Sequence, residues 1–183
     1  MKRKLLILSV LAICVATLAA GSLAFFNAED MAHNIITTGG VDIEVVEWAN
    51  EGKTDRFENP TGIMPGTVVT KIAEVQNIGA SRAWIRVKIT KAIDLAGDGT
   101  ADLSLVELNL NTEFWTEKDG YLYYKEAVEP GDATAPIFTT VTFNTAMGNE
   151  YQNATAHVEV LAQAVQCSNN GESALEAQGW PES

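Results

Sequence analysis

Apolar and polar residues alternate over most of the chain after residue 40, as they do in strands that place one face in a core and the other in solvent. The odd-numbered residues from 83 to 89 are Ala, Ile, Val and Ile, whereas the even-numbered residues from 84 to 90 are Trp, Arg, Lys and Thr. The even-numbered residues from 154 to 164 are all Ala or Val. Further strands are predicted over 41–48, 67–79, 103–111, 113–128 and 135–144.

Turn residues separate these segments. Pro65-Gly66 and Pro130-Gly131 mark two turns, and Lys118-Asp119-Gly120 stands between two aromatic runs in the pattern of a β-hairpin. Seven or more short strands with such turns predict a single all-β domain over 41–167, an antiparallel β-sandwich. Residues 168–183 form a polar tail that we expect to be loose unless Trp180 docks it onto the domain.

A different pattern occupies the N-terminus. A basic start at residues 2–4 precedes a charge-free apolar run that ends in small residues. This is typical of a secretory signal peptide, here a leader helix over residues 1–24. Ser22 and Ala24 fit the two small positions before a cut, which predicts cleavage between Ala24 and Phe25. The alternative is an uncleaved anchor, since the charge-free stretch is long enough to span a bilayer.

The charge left after cleavage excludes one class of partner. Removal of residues 1–24 takes away three of the 12 basic residues and none of the 24 acidic ones, so the net charge changes from −12 to −15. Such a surface repels nucleic acids and anionic lipids. We therefore expect no nucleic-acid partner, and membrane contact only through an uncleaved leader.

Cysteine content excludes an internal disulfide in the cleaved chain. Cys167 is then the one cysteine left, so neither a disulfide within the chain nor a zinc site of several thiolates can form. Cys167 either pairs between chains or is a small residue near the end of the last strand.

Signatures of catalysis are scarce. The two histidines, His33 and His157, are far apart in sequence, and no HExxH, GxSxG or P-loop motif is present. His157 falls between the apolar positions of its strand, so we expect it to face solvent or the rim of the sheet. We predict no catalytic residue, no metal site and no cofactor.

The acidic loop 94–102 has two interpretations. Asp94, Asp98 and Asp102 surround two glycines, and oxygen-rich loops of this kind can bind calcium. However, Ala96 and Leu105 occupy positions where an EF-hand needs ligands. A solvated turn is therefore the favoured interpretation.

The aromatic hairpin also has two interpretations. Trp115, Tyr121, Tyr123 and Tyr124 could form a platform for carbohydrate. Aromatic residues that face each other across a hairpin more often pack together.

Several segments resemble a known family. A leader ending in GSLAFF, followed by Gly-Gly and VDIEV (41–45), resembles the start of the TasA/camelysin (CalY) family, which are exported biofilm-matrix proteins of Gram-positive bacteria. The resemblance continues in order through MPGTVVTKIAEVQNIGASRAWIRVKI (64–89), FWTEKDGYLYYKEAVEPGDATAPIF (114–138) and AQAVQ (162–166). It covers nearly the whole chain.

The resemblance implies a jelly-roll sandwich and a leader cut by a dedicated signal peptidase. It also implies that residues 25–40, here called the N-terminal arm, are donated as a strand to a neighbouring subunit in a fibre. Phe25, Phe26, Ile35 and Ile36 would be the apolar anchors of that strand. The receiving edge is not placed by the sequence, and the alternatives are an arm that is a disordered stub or folds onto its own domain.

We therefore predict a secreted structural protein of the extracellular matrix or cell surface. Its expected partners are other copies of itself, other matrix proteins and, during export, the signal peptidase. One alternative is a camelysin-like cell-surface metallopeptidase, although no metal-ligand motif supports it and the chain is shorter than the long fibre-forming members. The other is a surface glycan-binding module.

Overall fold

The computed structural model describes residues 26–29, 35–37 and 40–181. The predicted leader over residues 1–24 lies outside this range. In the described part, strands and two short 3-10 helices, Leu103–Leu105 and Asn149–Tyr151, account for the regular structure. The strands are β1 (Phe26–Glu29), β2 (Ile35–Thr37), β3 (Ile43–Trp48), β4 (Val68–Asn77), β5 (Ala83–Asp94), β6 (Val106–Leu108), β7 (Trp115–Lys118), β8 (Tyr121–Tyr124), β9 (Phe138–Phe143) and β10 (Ala154–Gln166).

The strands form two sheets, which confirms the all-β sandwich. One sheet has the antiparallel order β10-β5-β8-β7, and β1 and β2 both add to the free edge of β10 in parallel. With them this sheet has six strands. The other sheet has four strands in the antiparallel order β3-β4-β9-β6.

The core lies between the inner faces of the two sheets, as the alternation predicts. The six-stranded sheet contributes Ile85 and Val87 from β5 and Val160 from β10, all fully buried. The four-stranded sheet contributes Val75 from β4 and Phe138 from β9, also fully buried. Burial of this apolar area is the main stabilising contribution to a domain of this size.

The β7–β8 hairpin has the turn that its sequence predicts. Asp119 and Gly120 form the two-residue loop, with φ angles of 52° and 78°. Two successive left-handed residues match the right-handed twist of the flanking strands, and Asp-Gly is a preferred pair for this geometry.

The polar tail is not loose, and the alternative, in which Trp180 docks it onto the domain, is the one observed. Residues 168–181 cross the outer face of the six-stranded sheet, where Ala174 and Ala177 are buried against Trp84, Tyr123 and Val165. We call this segment the C-terminal strap. Trp180, the residue expected to dock the tail, packs on the same apolar cluster.

The four-stranded sheet buries one complete acid–base pair and the carboxylate of a second pair whose lysine is exposed, which the alternation pattern did not predict. Lys71 Nζ lies 2.8 Å from Glu47 Oε2, with both side chains 5% exposed or less. Glu74 accepts a hydrogen bond from Trp48 Nε1 at 3.0 Å and forms an ion pair with Lys53. Pairing compensates for the cost of removing these charges from water.

Candidate assembly interface

The last strand, β10, joins the arm to the body of the six-stranded sheet. It runs for 13 residues, and its even-numbered side chains from Ala154 to Ala164 belong to the core. One edge of β10 pairs with β5 from Thr155 to Gln166 in an unbroken antiparallel register. Because this ladder is long and unbroken, β10 is held firmly in the sheet, and its other edge is a rigid edge for pairing with another strand.

The other edge of β10 pairs with the arm at two places. Phe26–Glu29 pairs with Ala154–His157, and Ile35–Thr37 pairs with Ala162–Ala164, both in parallel. Between these stretches the arm has five residues, 30–34, whereas β10 has four, 158–161. The arm therefore pairs as two separate short strands whose registers differ by one residue.

The predicted anchor residues fall in or next to these two strands. Phe26 is in register with Ala154, Ile35 with Ala162 and Ile36 with Gln163. Phe25 lies outside the described residues, as do Ser22 and Ala24 of the predicted cleavage site. The two described strands of the arm pair with their own domain, which is one of the alternatives considered for the arm.

Gln163 lies where the arm, β10 and β5 meet. It is fully buried, and it is in register with Ile36 on one side and Arg86 on the other. Its Oε1 accepts a hydrogen bond from Arg86 Nε at 2.7 Å, while its Nε2 has no hydrogen-bond partner among the described residues. Buried amide groups rarely leave a hydrogen-bond donor unused. Because Gln163 uses only its acceptor, its side chain specifies the pairing register of β10 less completely than a fully hydrogen-bonded side chain would.

Arg86 connects β10 to the C-terminal strap. Its guanidinium carbon lies 4.0 Å from the ring centroid of Tyr121 and 4.6 Å from that of Trp180. It also donates to Tyr123 Oη at 3.1 Å and to the Pro181 carbonyl at 3.5 Å. A guanidinium stacked between aromatic rings is a favourable arrangement when water is excluded.

His157 is buried, contrary to our expectation that it faces solvent or the rim. Its Nε2 lies 3.1 Å from Asp94 Oδ2, and its Nδ1 has no partner among the described residues. The strand pattern places His157 correctly on the outer face of β10, in register with Ala92 and with Glu29 of the arm. The outer face of β10 is therefore not exposed to solvent at this position.

The four aromatic residues of the proposed platform do not share one surface. Trp115 and Tyr124 are register partners that point into the core, with ring centroids 5.0 Å apart. Tyr123 is on the opposite face, buried beneath Trp180 with ring centroids 5.8 Å apart. Only Tyr121 of the four is partly exposed and outside the core. The packing interpretation is therefore the correct one.

The acidic loop behaves as a turn that starts a helix. Asp102 accepts hydrogen bonds from the Ser104 backbone and hydroxyl at 2.9 and 2.6 Å, capping the helix Leu103–Leu105. The hydrogen bonds from the side chain and backbone of Ser104 lower the pKa of Asp102. In the described part of the chain, no three His, Cys, Asp or Glu side chains come together as a metal site would require.

Cys167 lies just after β10 and packs beside the cluster under the C-terminal strap. Burial raises the pKa of its thiol to about 11. The thiol therefore stays protonated at neutral pH, which lowers its reactivity and suits a small packing residue.

Two features of this interface were missed from the sequence. The edge that pairs with the arm was not identified, although the longest and most regular alternation in the chain, 154–166, belongs to the strand that provides this edge. The strap was missed because its apolar contacts come from two buried alanines and a half-buried tryptophan spread among polar residues. No helix in the described residues is long and apolar enough to cross a membrane.

Comparisons with known proteins identify no relative. No protein-family model, no curated protein and no solved structure matches the chain. The function proposed below therefore depends on the residues, their geometry and the resemblance described above.

Proposed function

We propose that this chain is an exported structural subunit that assembles by exchanging its N-terminal arm between copies. In a single chain the arm covers the edge of its own β10. In an assembly the arm of one copy would cover β10 of the next. The proposal includes the export leader over residues 1–24, the jelly-roll connection of the two sheets and a location in the extracellular matrix or on the cell surface.

The observation that carries the proposal is the position of the arm. Both of its strands pair with β10 and lie at the end of the sheet order. Removal of the arm would expose the unpaired backbone groups of β10, and such an edge readily binds another strand. An arm from another copy can form the same hydrogen bonds with β10, so the enthalpy of strand pairing changes little on exchange. The extent of exchange then depends mainly on the protein concentration.

A comparison of two cleaved forms tests the role of the arm. One form starts at Phe25 and the other at Gly40, where the described body of the domain begins. We expect filaments, seen by negative-stain electron microscopy, from the longer form alone. Equal filament formation by both forms would rule out arm exchange.

Cysteine trapping tests the receiving edge directly. In a Cys167→Ser background, Asn27→Cys and Thr155→Cys are made in separate chains, because Asn27 and Thr155 are register partners. Mixing the two variants under oxidising conditions should give a disulfide-linked dimer. The control mixes Asn27→Cys with Thr116→Cys, which lies on β7 at the opposite edge of the same sheet. A dimer that forms equally in the control mixture would contradict the assignment of β10.

The other two functions have less support in the described residues. A metallopeptidase needs a ligand set, and none is formed in this part of the chain. A glycan platform built on Trp115, Tyr121, Tyr123 and Tyr124 is not available because three of the four are buried.

A further inference from the structure

A cleft opens where the β7–β8 hairpin separates from β5. β8 pairs with β5 only at Arg86 and Val87, while β5 continues to Asp94. The cleft has a volume of about 330 Å³. Its apolar lining comes from both sheets and from the loops beside β6: Ile89, Leu103, Leu108, Leu110 and Leu122.

The apolar lining is unusually accessible. Leu103 is 40% exposed and Leu110 is 39% exposed, and both face this cleft. Ligand sites are typically concave, mostly apolar and about 300–1,000 Å³ in volume, with a few polar groups. The cleft has these properties, which distinguishes it from scattered apolar residues on a surface.

Lys91 supplies a positive charge inside the cleft. Its Nζ donates to the carbonyls of Leu103 and Val106 at 2.9 and 2.6 Å. An ammonium has three N–H groups, so one is left for another acceptor. Among the described residues no carboxylate forms an ion pair with Lys91, and the side chain is half-buried.

We propose that this cleft binds a small carboxylate with an unbranched apolar chain, such as a medium-chain fatty acid. The five aliphatic side chains would contact the hydrocarbon chain, and the carboxylate would accept a hydrogen bond from Lys91. A cleft of this volume accommodates a ligand of about eight to ten carbons. The inference does not depend on assembly through the arm.

Two further residues define the selectivity of the site. Glu117 is the acidic residue of the lining and is exposed at the hairpin, so it opposes a second negative charge on the ligand. Tyr121 also lines the cleft, and its ring is held beneath Arg86. The site should therefore prefer a monocarboxylate with one apolar end over a dicarboxylate.

A ligand series on the unaltered cleaved protein gives the first test. Octanoate, 1-octanol and octylammonium have the same chain and differ in the charge of the head group. Titrations followed by methyl chemical shifts should show saturable shifts at Leu103, Leu108 and Leu110 with octanoate. Octanoate should bind at least about five-fold more tightly than octanol, and octylammonium most weakly. Equal binding of octanoate and octanol would overturn the proposal.

A matched pair of variants gives the second test. Lys91→Met removes the cation from the cleft, whereas Lys125→Met removes a cation that also donates to two backbone carbonyls, those of Thr112 and Glu113, but does not line the cleft. Octanoate affinity should fall at least about five-fold in the first variant and stay unchanged in the second. If Lys91→Met fails to fold, the ligand series still decides. If the methyl chemical shifts of the cleft change with protein concentration but not with octanoate, the cleft is a contact between copies, and the proposal is contradicted.

Discussion

Arg86 of β5 and Trp180 of the C-terminal strap are in contact on the outer face of the six-stranded sheet. The guanidinium carbon of Arg86 lies 4.6 Å from the ring centroid of Trp180, although the two residues are 94 positions apart in sequence. Trp180 also donates its indole N–H to the Ala177 carbonyl at 3.0 Å, which closes the end of the strap. The C-terminal strap is thus part of the folded domain.

Trp180→Ala should destabilise the domain by about 1–2 kcal/mol, because it removes a half-buried ring and its contact with the Arg86 cation. Denaturant unfolding followed by circular dichroism measures this change. Leu175→Ala is the control on the same strap, since Leu175 is 41% exposed, and it should change stability by less than about 0.5 kcal/mol. A similar loss in both variants would mean that the ring contributes no specific contact.

Lys71→Met should destabilise the domain by about 3–5 kcal/mol, because it leaves the Glu47 carboxylate buried without its cation. The double variant Glu47→Leu/Lys71→Met removes both charges and should recover most of that loss. Glu129→Gln is the control, since the Arg82–Glu129 pair is more than half exposed and should contribute less than about 1 kcal/mol. A double variant that is less stable than Lys71→Met would contradict this interpretation.

Gly79→Ala should destabilise the domain by about 2 kcal/mol or more, because its new methyl group would collide with rigid backbone. A Cβ at Gly79 would lie 2.6 Å from the backbone nitrogen of Asp42, where the chain enters β3. Gly97→Ala is the matched control, since a Cβ there meets nothing within 4 Å, and it should stay within about 0.5 kcal/mol of the parent. Thermal unfolding of both variants distinguishes a steric effect from a general effect of replacing glycine.

Cys167 should react slowly with iodoacetamide at about pH 8 in the folded protein and at least about ten-fold faster after unfolding. The reason is that burial raises the pKa of the folded thiol to about 11, whereas an unfolded thiol has a pKa of about 8.5. Mass spectrometry of the cleaved chain, in which Cys167 is the single cysteine, measures both rates.

The same pKa difference predicts a loss of stability at high pH. Between about pH 8.5 and about pH 11 the folded thiol keeps its proton while the unfolded thiol loses it. The unfolded state then binds fewer protons, so the contribution of Cys167 to stability falls as the pH rises through this window. Cys167→Ser should remove that part of the pH dependence, and an unchanged profile would show that other groups cause it.

Strands whose residues alternate, above all β5 and β10, could be predicted from the sequence. β10 begins and ends at the residues where the pattern of 154–166 begins and ends. The segment 103–111 was predicted as a strand but starts with a 3-10 helix, because Asp102 caps the backbone of Ser104. Local hydrogen bonds of this kind compete with strand formation.

Apart from the β7–β8 hairpin, the partners of the strands could not be predicted, because alternation does not encode which strand lies next to which. The arm and β10 pair in parallel although they are far apart in the chain, as the pair Phe26 and Ala154 shows. Burial of a residue on the outer face of a sheet is equally hard to predict from the sequence. Gln163 occupies a polar position of β10 and is nevertheless fully buried.

The direction of the arm sets a rule for any filament that it builds. Because Ile35–Thr37 pairs near the carboxyl end of β10 and runs parallel to it, a donating copy must continue beyond that end of its neighbour. Every joint then points the same way, so a filament has two unlike tips: one with an unused arm and one with a bare β10. A free peptide copying residues 25–38 would bind the second tip and would have no binding site at the first.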